Sequence, residues 1–164
     1  MRKKIIAISF ILLICIILFV KNMIFLEYKV EGVSMEPTYE EGNLLSINTM
    51  SHHILPIERF DVVVFHGPNK NDDYIKRVIG LPGDEISYND DQLYINGKPV
   101  NEPYLTKEHV GMLTGDFTLE EKIGKEKIPD GYFFVIGDNR IKSYDSRHFG
   151  LIKIEDVVGK VTEN

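Results

Sequence analysis

From Tyr28 onward the apolar residues come in brief runs cut by Gly, Pro, Asn and Asp, with little of the three-to-four spacing of an amphipathic helix. That punctuation is the signature of a mostly β domain, since strands are short and end at turn formers. Candidate strands are "EYKV", "LLSIN", "FDVVVFH", "YIKRVIG", "DEISY", "QLYING", "KPV", "GYFFVIG" and "KIEDVVGKV". Within "LYINGKPV", Asn96-Gly97 separates two strand-like runs, and because both residues tolerate positive φ this predicts a tight hairpin. Residues 105–127 are polar and charged with no clear strand, and are expected to form a long surface excursion.

Ahead of this domain, "IIAISFILLICIILFV" at residues 5–20 gives sixteen almost wholly apolar positions, and "MIFL" follows Lys21 and Asn22. As a helix, residues 5–26 span roughly 33 Å, enough to cross a bilayer with Lys21 snorkelling to its edge. A cleaved secretory signal needs small residues at the cut, and Ala7 is the only alanine in the chain. The expectation is therefore an uncleaved anchor over residues 1–26 and a folded domain over 27–164. Arg2, Lys3 and Lys4 precede the span, which places the N-terminus in the cytoplasm and the domain outside the cell membrane.

Charge excludes one class of partner. The chain carries a formal −6, yet residues 1–26 hold four basic side chains and no acid, leaving 15 basic against 25 acidic residues beyond them. A domain that acidic lacks the basic footprint of a nucleic-acid binder. Cys15, the single cysteine, lies in the apolar run, so no intramolecular disulfide and no Cys-rich metal site is expected. The five histidines show no HExxH-like zinc spacing, and adjacent His52 and His53 suit a solvated loop.

Three polar blocks stand out against this background. Ser34 in "GVSMEPT" is either a turn hydroxyl or a nucleophile, and a serine needs a base to become one. Lys76 falls in "DDYIKRVIGLPGDEIS", where a strand would turn Ile75 and Arg77 to one face and Tyr74, Lys76 and Val78 to the other. Lodged among apolar neighbours, its amine would have a lowered pKa; to serve as a base near pH 8 it needs a drop of roughly two units or more from about 10.4, about 3 kcal/mol of differential solvation. The third block, "GDNRIKSYDSRHFG", holds more hydrogen-bonding side chains than a turn requires, and an Asp145–Arg147 ion pair would brace it.

Together, "SMEPT", "YIKRVIGLPGD" and "GDNRIKSYDSRHFG", in this order behind one anchor and with "RFDVVVF" between the first two, resemble the bacterial type I signal peptidases of the single-anchor, Gram-positive kind. The resemblance runs from the anchor to about Gly150. It implies two packed antiparallel β-sheet lobes, of the type shared with self-cleaving repressors, behind one N-terminal transmembrane helix. It makes Ser34 the nucleophile and Lys76 the general base, with Ser143 orienting the amine by hydrogen bond and Asp145 and Arg147 supporting the site. The Ser34 N–H becomes part of an oxyanion hole, whereas Gly32 stands where some relatives carry a serine as second donor. Implied partners are exported preproteins, cut after small residues at −3 and −1, and membrane lipid; no metal or cofactor is implied.

A signal peptide bound as an added strand turns its −1 and −3 side chains to one side, and by position Val30 and Ile75 are the expected pocket walls, though each also suits ordinary core. His148 invites a Ser–His arrangement, but position 76 is lysine and His148 lies beyond Arg147. Two rivals remain: a self-cleaving repressor-type peptidase, which is soluble and needs a DNA-binding module, and an inactive anchored β domain that binds export partners.

Overall fold

A computed structural model describes residues 9–16, 24–50, 56–106, 109, 111 and 113–162. They form eleven strands: β1 (Phe25–Lys29), β2 (Leu44–Asn48), β3 (Val62–His66), β4 (Asp73–Gly80), β5 (Ile86–Asn89), β6 (Gln92–Ile95), β7 (Lys98–Val100), β8 (Phe117–Thr118), β9 (Tyr132–Ile136), β10 (Ile152–Lys153) and β11 (Val157–Thr162). A seven-stranded sheet runs β1-β2-β11-β3-β4-β9-β10, and a four-stranded sheet runs β7-β6-β5-β8. Neighbours pair antiparallel throughout.

Alternation along the central strands decides where the core lies. Val63 and Phe65 of β3, Val78 of β4, and Phe133 and Val135 of β9 pack together on one face of the large sheet. On the other face, Val62, Val64 and Ile75 pack with Val30, Met35 and Ile47. Farther along that face, Ile79, Phe134 and Ile136 meet Ile86, Tyr88, Leu93 and Phe117 of the small sheet. β4 thus contributes to all three clusters, through Ile79, Val78 and Ile75. The β6–β7 hairpin turns at Asn96 (φ 51°) and Gly97 (φ 73°), as the sequence predicts.

Three expectations are corrected. Residues 105–127 are more than a surface excursion: β8 pairs with β5, and the helix Leu119–Ile123 follows it. Thr118 and Glu121 form a reciprocal capping box, and Phe117 and Leu119 are buried. "KIEDVVGKV" is no single strand, because the chain pairs first with β9 and must then cross the sheet to lie between β2 and β3. The 3-10 turn Ile154–Asp156 makes that crossing. Finally, β1 begins at Phe25, inside the segment expected as anchor, because Phe25 and Leu26 pair with Asn48 and Ile47.

The rest of the expected anchor falls largely outside the described residues, as do His52 and His53. Residues 9–16 are helical with their large apolar side chains exposed. Among the described residues, no helix is long and apolar enough to cross a membrane.

Candidate active site

Ser34 sits in the turn that links β1 to β2. The turn is closed at its base by bonds from Val30 N–H to Asn43 O and from Gly42 N–H to Val30 O, both 2.9 Å. Met35 plugs the core completely, so the preceding serine is turned outward into a cleft. Gly32 has φ +75°, a conformation that strains any side chain, and this explains glycine at that position.

Lys76 reaches the same point from β4. It is 4% exposed, and its Nζ lies 2.7 Å from Ser34 Oγ and 2.8 Å from the carbonyl of Ile75. The Tyr74 ring centroid is 5.4 Å away. Among the described residues no carboxylate forms an ion pair with the amine. Burial therefore dominates and pulls its pKa down to about 8, against the weaker opposing pull of Asp145 and Asp138. At that pKa about half the amines are neutral near pH 8, free to accept the serine proton.

The 137–150 loop closes the site from the end of β9. Asp145 is fully buried, caps the helix Ser146–Phe149, and accepts bonds from Gly137 N–H (3.0 Å) and from Arg147 Nε (2.9 Å) and Nη2 (2.8 Å). Burial raises its pKa, but Arg147 and these donors outweigh that and hold it below the usual carboxylate range. The expected Asp145–Arg147 brace is thus a buried, bidentate pair. Gly137 is the tightest point: a Cβ there would lie 2.4 Å from Ser34 O and 2.2 Å from Ser143 Oγ. Nothing larger than glycine lets the loop and the Ser34 turn approach this closely.

Ser143 is brought to the site, but differently from expectation. Its hydroxyl is buried without a hydrogen-bond partner among the described residues, while the amine bonds Ser34 Oγ and Ile75 O. The hydroxyl still lies near enough to Asp145 to favour the charged carboxylate, though outside hydrogen-bonding geometry. Ile75 borders the cleft, and at 2% exposed it also packs in the core cluster. Val30 lies only in that cluster, beside Met35 and Ile47. His148 is half-exposed, stacked on Tyr144 and 3.9 Å from Asp145.

Four residues that hold the site were not singled out for this role from the sequence. Arg77 grips Asp138 through two bonds, Nε to Oδ1 at 2.9 Å and Nη2 to Oδ2 at 2.6 Å. Thr38 donates to the same carboxylate at 2.6 Å. Next along the chain, Asn139 donates its N–H to Ser34 O and its side-chain amide to Val33 O, each at 3.0 Å. The available signal was "GDN" following an apolar strand, which reads equally well as turn chemistry.

The cleft above Ser34 has a volume of about 600 Å³ and is lined by residues 31–34, 71–76, Lys142 and Tyr144. A larger cleft of about 880 Å³ lies beside Thr49, Tyr132 and Lys153. There the Thr49 hydroxyl donates to Ile24 O and Lys153 pairs with Glu155, whereas the smaller cleft sets a serine hydroxyl against a buried amine. The arrangement can attack a carbonyl: a hydroxyl against a desolvated amine, with the Ser34 N–H making no hydrogen bond to another described residue.

Known proteins offer close parallels. The family described as signal peptidase, peptidase S26, matches residues 2–163. A signal peptidase I of Bacillus caldolyticus is 57% identical over 152 residues, covering 90% of this chain and 83% of that protein. Signal peptidase I V of Bacillus subtilis strain 168 is 53% identical over 150 residues, covering 88% of each. The crystal structure of a signal peptidase I from Enterococcus faecalis V583 superposes with a TM-score of 0.63 at 42% identity, covering 66% of this chain and 99% of that one.

Proposed function

From the premise that this chain belongs to the signal peptidase family, peptidase S26, we propose that it is a signal peptidase I working through a Ser34–Lys76 dyad at the outer face of the cell membrane. It is a protease that removes signal peptides from secreted preproteins. The observation that supports the dyad is the 2.7 Å contact between Ser34 Oγ and an amine that burial holds near pKa 8.

Neutral Lys76 takes the Ser34 hydroxyl proton as Oγ attacks the scissile carbonyl carbon, and the charge that develops on the carbonyl oxygen faces the Ser34 N–H. The resulting ammonium gives its proton to the departing amine of the mature chain, leaving the signal peptide as an ester on Ser34. A water then enters, loses a proton to the same amine and attacks the ester carbon; the ester bond breaks and Ser34 regains its proton. Asp145 and Arg147 brace the loop behind these steps.

Ile75 offers an apolar wall that suits a small side chain at −1 or −3 of a bound strand. Residues 5–24 supply the anchor, since as a helix they span roughly 30 Å and stop where β1 begins. The basic N-terminus keeps that end in the cytoplasm and sets the cleft beside the emerging cut site.

Incubating a preprotein with the wild-type protein, Ser34→Ala and Lys76→Ala tests this. Cleavage is expected from the wild type alone; equal cleavage by all three would overturn the dyad.

A further inference from the structure

Behind Ser34 and Lys76 lies a second layer of polar groups that the reaction does not use. Arg77 points away from the cleft, its Nη1 donating to Phe60 O at 2.8 Å while its other nitrogens hold Asp138. One face of this guanidinium is covered by Tyr104, whose ring centroid is 4.0 Å from Arg77 Cζ. The Tyr104 hydroxyl faces the other way. It accepts from Arg140 Nη2 at 2.9 Å and donates to Glu102, which also accepts from Arg140 Nη2 at 2.6 Å. Arg140 Nη1 donates to Thr114 Oγ1 at 2.6 Å, while its Nε is buried without a partner among the described residues.

Tyr104 therefore touches the cations on both sides of Asp138 and Asn139, Arg77 through its ring and Arg140 through its hydroxyl. Those two loop residues reach the Ser34 turn directly, Asp138 through Thr38 and Asn139 through the carbonyls of Val33 and Ser34. A ring stacked on a buried guanidinium fixes the plane in which its paired N–H groups point. Resting on the peptidase reading above, we propose that Tyr104 is a positioning residue: through Arg77 and Arg140 it holds the Asp138–Asn139 turn, and hence Ser34, in register with Lys76. Tyr104 lies between β7 and β8, so the small sheet takes part in catalysis without contacting substrate.

The test grades the two contacts. Tyr104→Leu removes both, and kcat should fall about tenfold with KM within about twofold, since the displaced group acts in the transition state rather than in binding. Tyr104→Phe keeps the ring over Arg77 and loses only the hydroxyl, and kcat should fall about threefold. Amide hydrogen exchange gives a readout independent of activity. The Asn139 N–H should exchange about tenfold faster in Tyr104→Leu and about threefold faster in Tyr104→Phe, while the Val63 and Phe65 amides keep their protection.

Unchanged Asn139 exchange in Tyr104→Phe overturns the hydroxyl arm even if Tyr104→Leu fails to fold. Equal acceleration of the core amides, or a raised KM at constant kcat, overturns the positioning role. If wild-type protein cleaves no preprotein, the peptidase reading fails, and the exchange data still decide the coupling.

Discussion

Lys76 and Arg77 are neighbours on β4, both cations and both nearly sealed from water at 4% and 6% exposed, yet the fold treats them oppositely. On one side of the strand, Arg77 finds Asp138, and although burial lowers its pKa, the bidentate pair outweighs that and raises it. On the other, Lys76 finds a hydroxyl and a carbonyl but no carboxylate partner, and burial wins. Desolvation is common to both, so the counter-ion decides. A buried cation given a carboxylate becomes a clamp; one denied a carboxylate becomes a base. The strand's period of two is what allows both within two residues.

The contrast breaks most severely if the base is made unable to lose its proton. Lys76→Arg keeps the charge but cannot be deprotonated in this pH range, and preprotein cleavage should fall by at least ~1,000-fold. Next in size is loss of the clamp. Arg77→Met leaves Asp138 buried without its partner, and unfolding in denaturant should reveal a destabilisation of about 3–5 kcal/mol, with slower cleavage as Asn139 loosens.

The smallest effect has the opposite sign. Lys76→Met removes the unfavourable burial of an ammonium and should stabilise the domain by about 1–2 kcal/mol at pH 6, allowing for the partner that Ile75 O loses. Because the native pKa of about 8 lies below the ordinary lysine value of 10.5, the unfolded chain binds more protons between those values. Wild-type stability therefore rises with pH across that window. The variant's advantage should be full below about pH 8 and gone above about pH 10.5, as denaturation at several pH values would reveal.

Strand identity was legible because "LLSIN", "YIKRVIG" and "YFFVI" are brief, largely apolar runs bounded by turn formers. The family was legible because three rare blocks occur in order. What escaped were features without periodicity. β8 is two residues long, too short for any alternation, although the "TLEE" that caps the following helix was present as a capping signal. The Arg77–Asp138 clamp joins residues 61 positions apart, a pairing that no local pattern carries. Ser143 is buried beside Gly137 and Asp145 without making the expected bond to the amine, a side-chain geometry that no local sequence pattern carries. Val30 and Ile75 looked alike as apolar neighbours of the two site residues, and they share one core cluster; only Ile75 also borders the cleft.

The account stands on one ionisation. Titrating the Lys76 side chain by NMR, with lysine labelled at the ε-carbon and the signal assigned through Lys76→Arg, measures it in the intact protein. The structure predicts a midpoint near pH 8, well below the other lysines. A midpoint at the ordinary lysine value of about 10.5 would contradict the account, for the amine beside Ser34 would then be charged and unable to act as its base.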